Sequence, residues 1–473
     1  MAYRPETSLE GSLYELVARG QKDKFFFKDD VKSIQPFDYR YQAYPAVLPE
    51  VRQTIPITDC KFGNTTEFLF DFAGDLLVEA NLLIDLPSWL PPEISALNGK
   101  SVIQDLSGIR YGYTNGIAFF ALKKIEIFQD QFLLQEISGD ALYALSRTRG
   151  SFNGLFLDNS FSGIHDGTDI SIQRNATPGR LVLKLPFPGC QQGDSGYFPL
   201  SAVRSHNYRL RITLRNIQEL VEATDGGMYP EPWGKMFQIV KSAGAAPIKF
   251  RSIDLIKLAK PIVFVETRQL YISNELRKKL SSEDHVFCFR RYYENIFTFG
   301  EKDYSPLDKQ AQALVTRIVD AQFLAARMIH FFRVNTVFRT NQLYNFQNST
   351  SPNNQFYDSL KLVIAGQDRE GPWAPFVWTN VVQHSKEERA SSIPITTMNW
   401  TYGWRQEDDV PSGKQPDGGL NFTTASKPQL NISLLNISQD TVLNQRISEL
   451  RTVVESWAVY EIKDGRARFK FEN

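Results

Sequence analysis

The chain has 473 residues, 42% of them hydrophobic and 22% charged, which excludes a disordered polymer and leaves room for two or three domains with cores of their own. Lys plus Arg matches Asp plus Glu at 53 each, so the net charge is zero. That balance argues against a nucleic-acid backbone as the main partner, and it removes the self-repulsion that would keep copies of the chain apart.

Residues 1–34 read as a polar start followed by a docking segment. In Gly11–Gly20 the residues Leu13, Leu16 and Val17 fall at i, i+3, i+4, the spacing of one short amphipathic helix closed by Gly20, and Phe25, Phe26 and Phe27 follow it. From about residue 35 to 267 the pattern is β. Thr66–Pro87 reads as two strands around Ala73-Gly74-Asp75, and Lys123–Leu134 as a strand and a turn. In Tyr208–Asn216, Tyr208, Leu210, Ile212 and Leu214 share one face and Arg209, Arg211, Thr213 and Arg215 the other. Leu255–Glu266 is extended, and Pro261 within it points to a sheet edge or a bulge. Arg147–Gly179 reads as a long surface loop.

Ile272–His285 carries the clearest helical pattern of the middle of the chain, with Ser273 or Asn274 as cap, and predicts a linker helix over about 268–287. Strand patterns return over 288–473, in Arg327–Phe338, Ser359–Arg369 and Gln429–Leu434, and the chain closes on a hairpin around Asp464-Gly465. Two weak internal echoes occur in the same order. Lys124–Asp130 (KIEIFQD) resembles Lys361–Asp368 (KLVIAGQD), and Tyr208–Leu214 (YRLRITL) resembles Gln429–Leu434 (QLNISL). They suggest two copies of one β fold, a sandwich or barrel with jelly rolls among the candidates.

Chemistry-bearing motifs are missing from the sequence. It contains no Gly-rich phosphate loop, HExxH, GxSxG or dinucleotide fingerprint, so no catalytic residue, cofactor or metal is expected. The three cysteines, Cys60, Cys190 and Cys288, lack metal-site spacing, which fits a reducing compartment. The N-terminus does not read as a secretion signal, and no apolar run nears the roughly 18 residues a membrane span needs. The five histidines are scattered, and His330, inside an apolar strand, reads as a core or interface residue. The carboxylate pairs Glu387-Glu388 and Asp408-Asp409 read as loop residues, since strand neighbours face opposite ways. Trp373, Trp378, Trp400 and Trp404 fit sugar stacking, a protein interface or core packing.

The stretch KQPDGGLNFTTASKPQLNISL, from Lys414 to Leu434, resembles a late-strand signature of the double jelly-roll major capsid proteins of nucleocytoplasmic large DNA viruses. Gln415, Pro416, Gly418, Asn421 and Phe422 carry the match, with Asp417 at a position that family fills with a small residue. Gly74 and Asp75, then Pro199 and His206, carry two more matches in the right order, and Leu16, Val17, Ala18, Gly20 and Asp23 a third. The resemblance implies an all-β chain of two consecutive eight-stranded antiparallel jelly rolls, with a short N-terminal helix and an interdomain helix. It implies a non-enzymatic structural protein whose homotrimers form pseudo-hexameric capsomers that tile an icosahedral shell assembled in the host cytoplasm. The implied partners are other copies, minor capsid proteins, an internal membrane facing Leu13, Leu16, Val17 and Phe25–Phe27, and host-surface glycans, with no nucleic acid. A minor capsid or scaffold paralogue stays open, as does a carbohydrate-binding or glycosidase β-sandwich.

Overall fold

The computed structural model describes residues 47–95, 101–148, 168–190, 197–203, 206–240, 246–300, 313–322, 324–347, 356–382, 394–401, 418–422, 428–434 and 447–470. Among the described residues, sixteen of the strands form the main ladders of four antiparallel sheets. The first eight are β1 (Leu48–Thr54), β2 (Thr65–Leu69), β3 (Leu76–Asp85), β4 (Leu122–Gln129), β5 (Phe132–Ile137), β6 (Arg180–Lys184), β7 (Tyr208–Leu214) and β8 (Ile262–Tyr271). They pair in the orders β1-β8-β3-β6 and β2-β7-β4-β5. The second eight are β9 (His285–Thr298), β10 (Ala313–Ile318), β11 (Leu324–Val334), β12 (Tyr357–Ile364), β13 (Gln367–Trp373), β14 (Thr396–Asn399), β15 (Gln429–Leu434) and β16 (Ile447–Lys463). Their orders are β9-β16-β11-β14 and β10-β15-β12-β13. Adding eight to every strand of the first pair of sheets gives the second pair, so each half is a jelly roll and the chain is a double one.

Alternation explains the strands. Every second residue of β7 is buried, as its apolar–polar pattern requires, and the same holds for Leu430, Ile432 and Leu434 of β15. In roll 1 the facing sheets close over Phe68, Leu82, Ile125, Leu183, Leu210 and Val265. In roll 2 they close over Val315, Met328, Phe332, Leu362, Ile432 and Val454. Each fully buried side chain of this size contributes about 1.5–3 kcal/mol. The two sequence echoes fall on equivalent strands, β4 with β12 and β7 with β15. The turns after β4 and β12 also correspond, with Asp130 at φ 52° and Ala365 at φ 53°.

Helix α1 (Gly139–Thr148) follows β5, and α2 (Asn274–Ser282) lies between β8 and β9. A three-stranded insert of Val102–Asp105, Met236–Val240 and Ile248–Arg251 decorates roll 1.

Three expectations need correction. Leu255–Glu266 is not one strand. Residues Leu255–Lys257 form a 3-10 turn and β8 begins after Pro261, so the residue without an N–H stands just outside the ladder of a central strand. Arg327–Phe338 is a strand only to Val334; Asn335–Thr340 is helical and ends on Asn341 in the left-handed region at φ 60°. Part of Arg147–Gly179 is also ordered, since Asp169–Arg174 forms a helix capped by the Thr168 hydroxyl. The N-terminal helix expected around Leu13, Leu16 and Val17, with Phe25, Phe26 and Phe27, lies outside the described residues.

Candidate assembly surfaces and the interface between the rolls

The central strands β11 and β16 of roll 2 are buried on both faces over most of their length. On β11, Met328, His330 and Phe332 alternate with Ile329, Phe331 and Arg333. Met328 and Phe332 enter the core of roll 2, while Ile329 and Phe331 join the core of roll 1. The outer face of β9-β16-β11-β14 is therefore covered by roll 1, through β5 and α1. Ser138, just ahead of α1, donates its backbone N–H and its hydroxyl to the Glu294 carboxylate at 3.0 and 2.7 Å. The Tyr292 N–H donates to Gln135 Oε1 at 3.3 Å, and Arg291 donates to the Leu133 carbonyl at 3.3 Å.

A charged cluster sits inside this apolar contact. Asp140 of α1 has no exposure, yet it pairs with Arg333 at 2.7 Å, with Arg451 at 3.2 Å, and with Arg215 at the end of β7. Arg333 also meets Glu449 at 2.6 Å; Arg451 meets Glu294 at 2.7 Å and Glu449 as well. Three carboxylates thus face three guanidinium groups, two residues from roll 1 and four from roll 2. Burial alone would raise the Asp140 carboxyl, but Arg215, Arg333 and Arg451 outweigh it and hold the group well below the usual carboxylate range. Burial likewise opposes ionisation of Glu449, and Arg333 and Arg451 prevail and lower it. A second buried set, Glu455 with Arg290 at 3.2 Å and Arg327 at 3.4 Å, lies on the same sheet, and Arg327 reaches the Thr148 hydroxyl at the end of α1.

Several residues singled out in the sequence act at or near this junction. His206 accepts the Ala467 N–H at Nε2 (3.1 Å) and meets Asp130 through Nδ1 at 2.6 Å. Those two bonds assign the neutral Nδ1–H tautomer, which ties roll 1 to the C-terminal hairpin of roll 2. Gln129 donates to the Ala467 carbonyl at 3.0 Å, and the Tyr208 and Tyr460 hydroxyls meet at 3.2 Å. Asp75, fully buried, holds α2 through an ion pair with Arg277 at 2.7 Å and a hydrogen bond from Arg277 Nη2 at 2.9 Å, and it accepts the Ile272 N–H at 3.1 Å. Gly74 leaves room for Gln269, whose Oε1 accepts the Gly74 N–H at 2.7 Å; a Cβ there would stand 2.8 Å from Gln269 Cβ. Pro199 leads into the Leu200–Ala202 turn, whose Ser201 N–H donates to the Asp75 carbonyl.

The late-strand signature divides. Gly418 bridges Thr401, Asn421 pairs with Leu324 of β11, and Phe422 is buried against Trp400 with ring centroids 5.7 Å apart. Gln415 and Pro416 lie outside the described residues. So do His165, His384, Glu387, Glu388, Asp408, Asp409 and Trp404. Trp378, weighed as a loop aromatic, is fully buried and donates to the Leu360 carbonyl at 3.2 Å, whereas Trp373 is exposed.

Sequence reasoning missed the ion cluster altogether. Its signal was present, since Arg327 and Arg333 interrupt an otherwise apolar run, which a solvated strand face would not produce.

Comparison with solved structures rests on this two-roll arrangement. The protein in the PBCV-1 virus capsid is matched over 92% of this chain and 100% of its own, with a TM-score of 0.67 and 14% identity. The fold is that of the double jelly-roll major capsid proteins. The PBCV-1 capsid protein fitted into a reconstruction of the virophage Sputnik gives 0.66 at 14% identity, over 92% of this chain and 100% of its own. The Faustovirus major capsid protein gives 0.54 at 10% identity over 96% and 97%. No protein-family model and no curated protein matches the sequence.

Proposed function

We propose that the chain is a capsid building block whose homotrimers form six-lobed capsomers of an icosahedral shell. The observation that carries this reading is the repeated strand order of two rolls fused through a buried interface, the fold of full-length viral capsid proteins. Three copies of a two-lobed chain have six similar lobes, so a closed threefold ring gains a nearly hexagonal outline and can tile a curved sheet. The charge pairs that fix one roll against the other suit a rigid tile. In the proposed division the rolls lie on either side of α2, after an N-terminal docking segment. Leu13, Leu16, Val17, Phe25, Phe26 and Phe27 would meet minor capsid proteins or an internal membrane on the inner side. Gly74, Asp75, Pro199, His206, Gly418, Asn421 and Phe422 serve structure, not catalysis, and host-surface glycans would meet the outer loops. Assembly would take place in the host cytoplasm.

Negative-stain electron microscopy of the purified chain tests the reading: six-lobed particles are expected, and isolated two-lobed particles at micromolar concentration would count against it. Quantitative mass spectrometry of the assembled particle then separates a main shell protein from a minor capsid or scaffold protein by copy number.

A further inference from the structure

Three loops of roll 1 meet at one end of its sandwich. Lys61 and Phe62 precede β2, Asn216, Ile217 and Gln218 follow β7, and residues 255–261 precede β8. β2 and β7 belong to one sheet and β8 to the other, so these loops span the gap between the two sheets. Between them lies a half-open groove of about 270 Å³. Backbone bonds fix its walls. The Gly63 N–H donates to the Arg215 carbonyl at 3.2 Å, the Glu219 N–H to the Asn216 carbonyl at 3.0 Å, and the Leu258 N–H to the Leu255 carbonyl at 3.2 Å. Gly63, at φ 76°, also makes room for Asn216, because a Cβ there would collide with Asn216 Oδ1.

The groove is amphipathic. Leu255 and Leu258 stand three residues apart across the 3-10 turn and so share one side of it. With Phe62 they rest on the core of roll 1 but stay only partly buried. The rim is basic. Lys260 pairs with Asp59 at 2.6 Å, whereas Lys61 makes no ion pair among the described residues. Glu219, next along, is engaged by Arg215 at 3.8 Å and by the Asn216 amide at 3.2 Å. Two lysines facing one aspartate leave a positive charge above an apolar floor. Such a site fits one alkyl chain with one anionic head.

We propose that this groove binds a medium-chain alkyl carboxylate, with its tail on Phe62, Leu255 and Leu258 and its head at Lys61. The ligand would tie the loop before β2 to the loop before β8 and so close this end of roll 1. The inference is independent of the capsomer reading, since every wall of the groove comes from a single roll.

The test is calorimetric titration of the full chain with decanoate and with decyltrimethylammonium, both below the concentration at which they form micelles. Decanoate is expected to saturate at one per chain, and the cation to bind at least about tenfold more weakly. In Lys61→Glu, an exposed position, the preference should reverse. Ile256→Ser removes the most exposed side chain of the neighbouring turn, 97% exposed and on its outer side, and should leave decanoate binding unchanged. Uptake that does not saturate, or that falls in Ile256→Ser, identifies adsorption to apolar surface and overturns the proposal. So does Lys61→Glu binding decanoate as tightly as the wild type. Binding to anionic lipid vesicles with none to decanoate overturns it in favour of a membrane contact. A diazirine-bearing decanoate on the wild-type chain keeps the test independent of variant folding. Label is expected on peptides holding residues 61–62, 216–218 and 255–261, and label elsewhere contradicts the site.

Discussion

Asp140 and Arg333 meet at 2.7 Å with no exposed surface on either side chain, and they belong to different jelly rolls. The pair fixes α1 of roll 1 against β11 of roll 2, and the two rolls therefore share one core boundary. Removing either charge alone leaves the buried cluster with unbalanced charge, and breaking a buried pair in this way costs about 3–5 kcal/mol. Asp140→Asn is expected to lower stability by that order because Arg215, Arg333 and Arg451 keep their charges. Urea denaturation with separate probes on each roll measures it.

Acid is expected to loosen the same junction. Asp140 and Glu449 have folded-state pKa values below their unfolded values, so the unfolded chain takes up protons first as pH falls. Their contribution is intact above the unfolded carboxylate range near pH 4 and is lost progressively below it. In the Asp140→Asn variant the slope of stability against pH below 4 should flatten, as read from denaturation midpoints at several pH values.

His330 gives a separate, milder acid response. It is buried in the core of roll 2, bonded to the Thr452 hydroxyl at 2.9 Å, and burial pushes its pKa from 6.5 down to about 3. The folded chain thus keeps His330 neutral while the unfolded chain protonates it below pH 6.5. Stability should fall as pH drops from 6.5 toward 3, by up to about 1.4 kcal/mol per pH unit. The His330→Gln variant should lose this slope between pH 6.5 and 5, above the window where the carboxylates act.

The link through α2 depends on Asp75. Arg277→Ala removes an ion pair and a charge-assisted hydrogen bond from the buried carboxylate, which also accepts the Ile272 N–H. A loss of about 1.5–3 kcal/mol is expected, with faster hydrogen exchange over residues 272–284 and little change in β3.

Gly74→Ala should also destabilise, by about 1–3 kcal/mol, because the new Cβ lands 2.8 Å from Gln269 Cβ and displaces the bond from the Gly74 N–H. Gln269→Ala in the same chain should recover part of the loss, which a double-mutant cycle reads.

Residues whose role is local were legible in the sequence. The alternation of β7 and β15, the helix α2 and the Asp464-Gly465 turn follow from patterns a few residues long. The echo of β4 in β12 pointed to the repeat because equivalent strands keep equivalent turns. Residues whose role is distant were not legible. Asp75 is explained by Arg277 and Gly74 by Gln269, each about 200 positions away. Helix α1 was missed because Ala141, Leu142, Tyr143, Ala144 and Leu145 are all buried, leaving no polar stripe to set a helical period. The ion cluster was missed because a charge on a strand normally signals solvent, and only packing against roll 1 turns that face of the roll 2 sheet into an interior.

The most direct test of the central claim is the solution mass of the purified chain by light scattering. A trimer of about 162 kDa, three times the 54.0 kDa chain, is predicted. A stable monomer at micromolar concentration would contradict the capsomer assignment.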